Sequence, residues 1–343
     1  MSRVLIVGAG LTGSLCACLL RRELPGRVHV EVWDKARGAG GRMSTSRAPD
    51  SSPSQSADLG AQYITTTAAY YTQHHNLYSE LVSAGVLRPL DAVIEGLKMK
   101  NDSKDFVSPR GMSGVVKHFL AESGAKLFLE RHVTGVYRRG ASWEVERKEG
   151  DRETFDAVVL TMPVPQILQL QGDVTQLMSV QQRQLLDVVV YTSRFALALF
   201  FPPDVVLGIQ WGARYVPNSS ICYIANNDLR RNNEVPGLGP SLVVHTSVPF
   251  GLEHLEKDKE DVQPIIMKEL YRLLPDLPQP ISIKCHKWRY SQVLTAVPDS
   301  PGHMTLLSQP LLVIGGDAFC HSNFDGCVES ALSMLSPLKA ALT

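Results

Sequence analysis

Gly8, Gly10 and Gly13 are spaced G-x-G-x-x-G within Gly8-Ala9-Gly10-Leu11-Thr12-Gly13, a spacing suited to holding a pyrophosphate. The first glycine permits a tight turn, the second lets the backbone approach the phosphates, and the third lets helix and strand pack closely. The N–H groups that open the helix then face the phosphates, with the positive end of the helix dipole behind them. Asp34, about 20 residues past the last glycine, has the position of an acid that binds both ribose hydroxyls. Chance glycines in an ordinary turn are the alternative, and the order of the surrounding elements argues against them.

Those elements read as follows. Residues 3–7 (RVLIV) are a short apolar run typical of a buried parallel strand. Residues 14–22 (SLCACLLRR) read as a helix with basic residues in its last turn, stopped by Pro25-Gly26. Residues 28–33 (VHVEVW) form a second strand that finishes at Asp34. Residues 43–57, rich in Ser and Pro, read as an exposed loop. Residues 77–85 look helical, 113–123 form an amphipathic helix, and strands are predicted at 126–129, 133–138, 142–147 and 157–161. Between residues 166 and 288 the pattern changes. Strand-like runs at 194–201, 220–225 and 242–248 are separated by Pro, Gly and Asn clusters, as in an antiparallel sheet, and 261–274 reads as a helix. The first pattern returns at 311–314 (LLVI), which enters Gly315-Gly316-Asp317, and a last helix runs over 328–341.

Composition narrows the function classes. The chain has 343 residues, 44% of them hydrophobic, enough for two lobes with real cores. Lys plus Arg (34) balance Asp plus Glu (34), which removes the electrostatic case for nucleic acid or an anionic membrane as partner. The six cysteines are too scattered for a disulfide scaffold, and the histidines lack ligand spacing, so no metal is expected. The apolar N-terminus could pass for a signal peptide, but cleaving it would remove the first strand and the glycine turn.

Three further segments turn the reading from dinucleotide to FAD. Gly40-Gly41-Arg42, Asp58-Leu59-Gly60-Ala61-Gln62-Tyr63 and Gly315-Gly316-Asp317 resemble segments of the flavin amine oxidases and related p-hydroxybenzoate-hydroxylase-like flavoproteins. The two glycines of the first let a loop approach a cofactor while Arg42 neutralises phosphate charge. The resemblance implies that residues 58–62 pass beside the flavin ring and that Asp317 meets the ribityl chain. A helix after Asn323-Phe324-Asp325-Gly326, capped by Asn323 or Asp325, would stabilise the negative charge that collects on a reduced flavin. An NAD enzyme has no need of this late return. The cofactor contacts so implied are Gly8, Gly10, Leu11, Thr12, Gly13, Asp34, Lys35, Gly41, Arg42, Gly60, Ala61, Gln62, Val133, Gly316, Asp317, Asn323, Phe324 and Asp325.

The expected fold class is α/β: a Rossmann-type FAD-binding domain with an inserted α+β substrate domain built on a mainly antiparallel sheet. The first domain takes residues 1–75, 106–165 and 286–343, and the second takes 76–105 and 166–285. Segments 33–35, 160–169, 245–251, 288–293 and 322–327 carry the resemblance over essentially the whole chain, to one branch of that superfamily. That branch implies a monomeric oxidase with noncovalent FAD. It would convert the 2- and 6-dihydro isomers of NAD(P)H to β-NAD(P)+ and reduce O2 to H2O2. Tyr63, His245 and Trp288 are the substrate-side candidates, each with a purely structural alternative, and none is assigned as acid or base. The competing functions are oxidation of catecholamines and a secreted signalling role independent of catalysis. The resemblance implies secretion without loss of the N-terminal strand, while free cysteines fit the cytosol.

Overall fold

Val4, Leu5 and Ile6 are wholly buried because the strand Ser2–Val7 lies inside a sheet, with a parallel neighbour on each side. The computed structural model describes residues 1–49, 55–97, 102–232 and 237–343. Two compact units emerge: Met1–Gly41, Val115–Val190 and Val293–Thr343 form the first, and Arg42–Gly114 and Tyr191–Gln292 the second.

The first unit is built on a six-stranded sheet in the order His303–Ser308, Leu311–Gly315, Ala157–Leu160, Ser2–Val7, Val28–Trp33, Lys126–Phe128. All junctions are parallel except that of the edge strand 303–308 with 311–315. The inner strands are near-continuous runs of Val, Leu and Ile, as burial on both faces requires. The helix Leu11–Glu23 connects strand 2–7 to strand 28–33 on one side, while strand 157–160 pairs on the other. The chain order therefore reverses at strand 2–7, and the crevice beyond its C-terminal end is where open α/β sheets bind ligands. Helix Leu11–Glu23 packs against the last helix, Phe324–Leu342. A separate four-stranded sheet carries Trp143, fully buried, whose indole N–H donates to the Leu311 carbonyl at 2.9 Å.

The second unit is built on another six-stranded sheet, in the order Ser282–Trp288, Arg194–Phe200, Ser241–Thr246, Ile221–Asn226, Ala213–Tyr215, Ile94–Glu95. This sheet is mixed, because the edge strand 94–95 joins 213–215 in parallel while the other pairs are antiparallel. One face buries Phe195, Leu197, Leu199 and Phe201 beneath the helix Lys259–Leu273, which supplies Val262, Ile266 and Leu270. The opposite face is paved by Ala196, Ala198 and Val243, and Ala57 and Leu59 lie on them.

Several predicted elements shift. The strand read at 242–248 ends at Thr246, because Ser247 becomes the N-cap of a helix, Val248–Glu253, with Pro at its start. The Ser/Pro-rich stretch read as a loop carries two short strands, Thr45–Arg47 and Ser56–Asp58, paired antiparallel; residues 50–54 lie outside those described. The last helix begins at Phe324, four residues before the expected start. Residues 166–190, read with the substrate domain, group with the first unit, whereas residues 42–75, 106–114 and 286–292, read with the dinucleotide domain, group with the second. Their side chains explain why: Gln55 caps the carbonyls of Phe201 and Gly239, and Asp58 is tied to Arg230.

Substituting Trp143→Phe removes a buried donor and leaves the Leu311 carbonyl unpaired. A destabilisation of about 1–3 kcal/mol is expected, read as a lower Tm with flavin content per folded molecule unchanged.

Candidate functional site

In the first unit the glycines play distinct parts. Gly8 has φ +115°, and a Cβ there would also press on Thr161 Oγ1 at 2.5 Å. At Gly13 a Cβ would collide with the Gly8 carbonyl. These two are demanded by the protein itself. Gly10 is not: its φ is −88°, and a Cβ would meet nothing within 4 Å. Neither backbone strain nor packing requires a glycine there, so the remaining reason is close approach by a ligand. Gly10 is also the N-cap of helix Leu11–Glu23, with no side chain capping it and Leu11, Thr12 and Gly13 in the first turn. The last turn carries Arg21 and Arg22, so the dipole is matched at its far end and open at the near one. A pyrophosphate fits this cradle.

Other predicted contacts converge here. Gly40 donates its amide to the Ala9 carbonyl at 2.9 Å, and a Cβ on Gly41 would sit 3.2 Å from Gly10 Cα. Asp34 accepts the amides of Ala9 (2.7 Å) and Ala36 (2.8 Å), so the acid assigned to the ribose also braces the glycine turn. Asp34 donates its amide to the Phe128 carbonyl and accepts the Arg131 amide, and Glu130 donates to the Ala36 carbonyl, which brings Lys35 and the start of strand Val133–Arg139 into the same corner. The late turn arrives at this edge as well. Gly316, at φ +129°, faces the Thr161 carbonyl, the same residue that abuts Gly8. Ser322 donates to Asp317 at 2.7 Å, and Asn323 rather than Asp325 caps the last helix, accepting the Gly326 amide at 2.7 Å. Phe324 and Asp325 are buried in its first turn.

The second unit holds a different constellation. The Arg42 carbonyl accepts the Ala61 amide at 2.8 Å, and Gly60 has no room for a Cβ against that carbonyl. The Gly-Gly-Arg and Asp-x-Gly-Ala segments therefore meet. Asp58 is completely buried and accepts from Thr45 (2.6 Å), the Met112 amide (2.9 Å), Arg230 (2.9 Å) and Arg231 (3.1 Å). Burial opposes its ionisation, but Arg231 and Arg230 outweigh this and hold the carboxyl below its usual range. Arg230 also donates to the Gln62 carbonyl and to Asn227 Oδ1. The Gln62 side-chain amide donates to the carbonyls of Asp58 and Gly60, which fixes its orientation and leaves Oε1 buried without a partner among the described residues.

Next to this loop lies the alanine-paved face of the sheet. Its register sets Tyr223 opposite both Tyr215 and His245, and His245 opposite Ala196. The Tyr63 and Tyr215 hydroxyls are 2.6 Å apart. His245 Nε2 and Trp288 Nε1 both reach the Leu59 carbonyl, at 3.1 and 2.9 Å, so Nε2 carries the imidazole proton. The three sequence candidates Tyr63, His245 and Trp288 thus share one patch. The sequence reading missed Tyr215, Tyr223, Arg230 and Arg231. The Tyr223 hydroxyl is buried without a partner among the described residues. Burial, with help from Tyr215, pushes the Tyr63 phenol far up, and burial does the same to Tyr223. Burial, then Arg194, then Arg230 push His245 down to about 4. Near neutral pH the patch is two neutral phenols, a neutral imidazole and an indole.

Two family models match the chain, and each match includes parts of both units. Residues 6–81 match the NAD(P)-binding Rossmann-like domain, and residues 95–334 match the flavin containing amine oxidoreductase family. Renalase of Mus musculus is 49% identical over 340 residues, covering 99% of both chains. The chain belongs to the renalase family. It is a flavin oxidoreductase by that membership. Two solved structures share the fold at low identity. One, from Exiguobacterium sp. 255-15 and provisionally described as a protoporphyrinogen oxidase, has TM-score 0.72 and 14% identity over 99% of both chains. The PF1083 protein of Pyrococcus furiosus has TM-score 0.62 and 13% identity over 99% of this chain and 97% of its own.

Two outcomes are expected. Gly10→Ala should leave the apoprotein Tm nearly unchanged while sharply reducing flavin retained through purification; Gly13→Ala should lower both. Equal apoprotein destabilisation would remove the argument from Gly10. For His245 the folded pKa of about 4 lies below the ordinary 6.5, so the unfolded chain takes up a proton that the folded one refuses. Its contribution is intact above pH 6.5 and is lost as pH falls toward 4. Replacing His245→Gln should therefore flatten the fall of Tm over that window.

Proposed function

We propose that the chain is an FAD-dependent oxidase of the 2- and 6-dihydro isomers of NAD(P)H, forming β-NAD(P)+ and H2O2. The observation that carries this reading is the uncharged patch of Tyr63, Tyr223, His245 and Trp288, in which no side chain is poised to take a proton near neutral pH. A dihydropyridine suits such a surface, because aromatisation of the ring drives hydride loss and no general base is needed. When bound, FAD would supply the hydride acceptor, with O2 as the final oxidant. The Tyr223 hydroxyl and Gln62 Oε1 are buried polar atoms without a partner among the described residues. The adenylate and pyrophosphate belong to the first unit's glycine turn, held noncovalently.

Amine oxidation asks for different residues. A catecholamine enters as an ammonium and must lose a proton before it can give up a hydride. Lys287, the lysine nearest Trp288 in sequence, has its ammonium committed to the carbonyls of Leu255 (2.8 Å) and Lys257 (2.5 Å). The cationic groups that depress His245 would repel an ammonium as well. Among the described residues no helix is long and apolar enough to cross a membrane. Secretion, also part of the proposal, would have to leave strand Ser2–Val7 in place, since it pairs on both sides.

The test is anaerobic mixing of the holoenzyme with each isomeric dihydronicotinamide and, separately, with catecholamines. Rapid bleaching of the flavin band by the isomers alone is expected. Bleaching by amines alone would overturn the reading.

A further inference from the structure

Two guanidinium groups share one carboxylate in the interior of the second unit. Arg230 and Asp58 have wholly buried side chains, and that of Arg231 is 6% exposed. Among the described residues, Asp58 is the only carboxylate paired with either arginine. These three groups together carry one net positive charge in a region where water cannot screen it. Arg230 Nε is also buried with no partner among the described residues. A purely structural pair would need only one arginine for Asp58, with the second position neutral. The geometry links this charge to the polar patch. Arg230 donates to the Gln62 carbonyl, the next residue is Tyr63, and the Tyr63 hydroxyl meets that of Tyr215. A third guanidinium, Arg194, bonds Cys222 Sγ and the Thr246 carbonyl, both at 3.0 Å, on strands that also carry Tyr223 and His245.

We propose that the Arg230–Asp58–Arg231 cluster is a charge filter. Its surplus positive charge makes Arg230 a specificity-determining residue that favours anionic over ammonium-bearing ligands at the Tyr223–His245 patch. This rests on the reading of that patch as the substrate surface and adds what selects the substrate's charge. Substrate phosphates gain from the field, whereas an ammonium of similar shape loses by it. Removing either arginine leaves Asp58 in a matched one-to-one pair, so the substitution need not strand a buried charge.

The experiment measures dissociation constants of two ring-bearing probes, nicotinate and benzylammonium, on the oxidised holoenzyme through perturbation of the flavin spectrum. Wild type is compared with Arg230→Gln, Arg230→Lys and Arg231→Gln. Wild type should prefer nicotinate. That preference should fall about tenfold, the effect of one poorly screened charge, in Arg230→Gln and Arg231→Gln, and persist in Arg230→Lys. If Arg230→Gln does not fold, Arg231→Gln removes the same charge without touching the Gln62 contact. An unchanged preference in both Gln variants would overturn the proposal. So would an equal loss in Arg230→Lys, which would show positioning rather than charge. Probe binding is independent of flavin reduction, so failure of the dihydronicotinamide reading would register separately, as absent bleaching.

Discussion

Asp58 is the point on which the second unit's polar chemistry depends. It carries no solvent exposure and binds two arginines, a threonine hydroxyl and a backbone amide. Breaking such a cluster by removing its anion is costly, typically several kcal/mol, because two guanidiniums would remain buried without a counter-charge. The loop that follows Asp58 inherits its placement: Leu59 offers its carbonyl to His245 and Trp288, and Gln62 offers its carbonyl to Arg230. The residues proposed to face a substrate are thereby held by a buried carboxylate. The carboxylate's role is architectural, and its effect on chemistry passes through what it positions.

The first unit solves a different problem with backbone alone. Three adjacent parallel strands end beside one another, and the turns at Gly8 and Gly316 close on the two sides of Thr161. Glycine is used there in two ways. At Gly8, Gly13 and Gly316 it lets the chain fold back on itself; at Gly10 it leaves room that the protein does not fill. Helix ends at Gly10 and Asn323 add oriented amides without any mobile charged side chain. The backbone thus presents a preorganised surface of oriented amides that suits a dinucleotide.

The parts of this arrangement that could be read from sequence are those with short-range signatures. Residues 8–13, the strand ending at Asp34 and the run 311–317 are local patterns whose physics is complete within about 30 residues. The second unit's site is not local. Asp58 and Arg230 are 172 residues apart, and nothing near Arg230-Arg231 marks them as buried; two adjacent arginines ordinarily imply surface. Tyr223 likewise sits in an alternating strand, and only its register against Tyr215 and His245 gives it a role. The grouping of residues 42–75 was hidden for the same reason, since it is set by bonds from Gln55 and Asp58 to distant partners. Tyr63, His245 and Trp288 were found as candidates, but their common patch is a product of the fold.

The central claim is that the polar patch of the second unit holds its reacting partner without ionising. The most direct measurement is the rate constant of flavin reduction by a saturating 6-dihydro isomer as a function of pH, in single turnover without oxygen. Because burial pushes His245 down to about 4 and the Tyr63 and Tyr223 phenols far up, the rate should be level from about pH 5.5 to 9. A rate that rises or falls through a single ionisation near pH 6–7, and that loses this dependence in His245→Gln, would contradict the account.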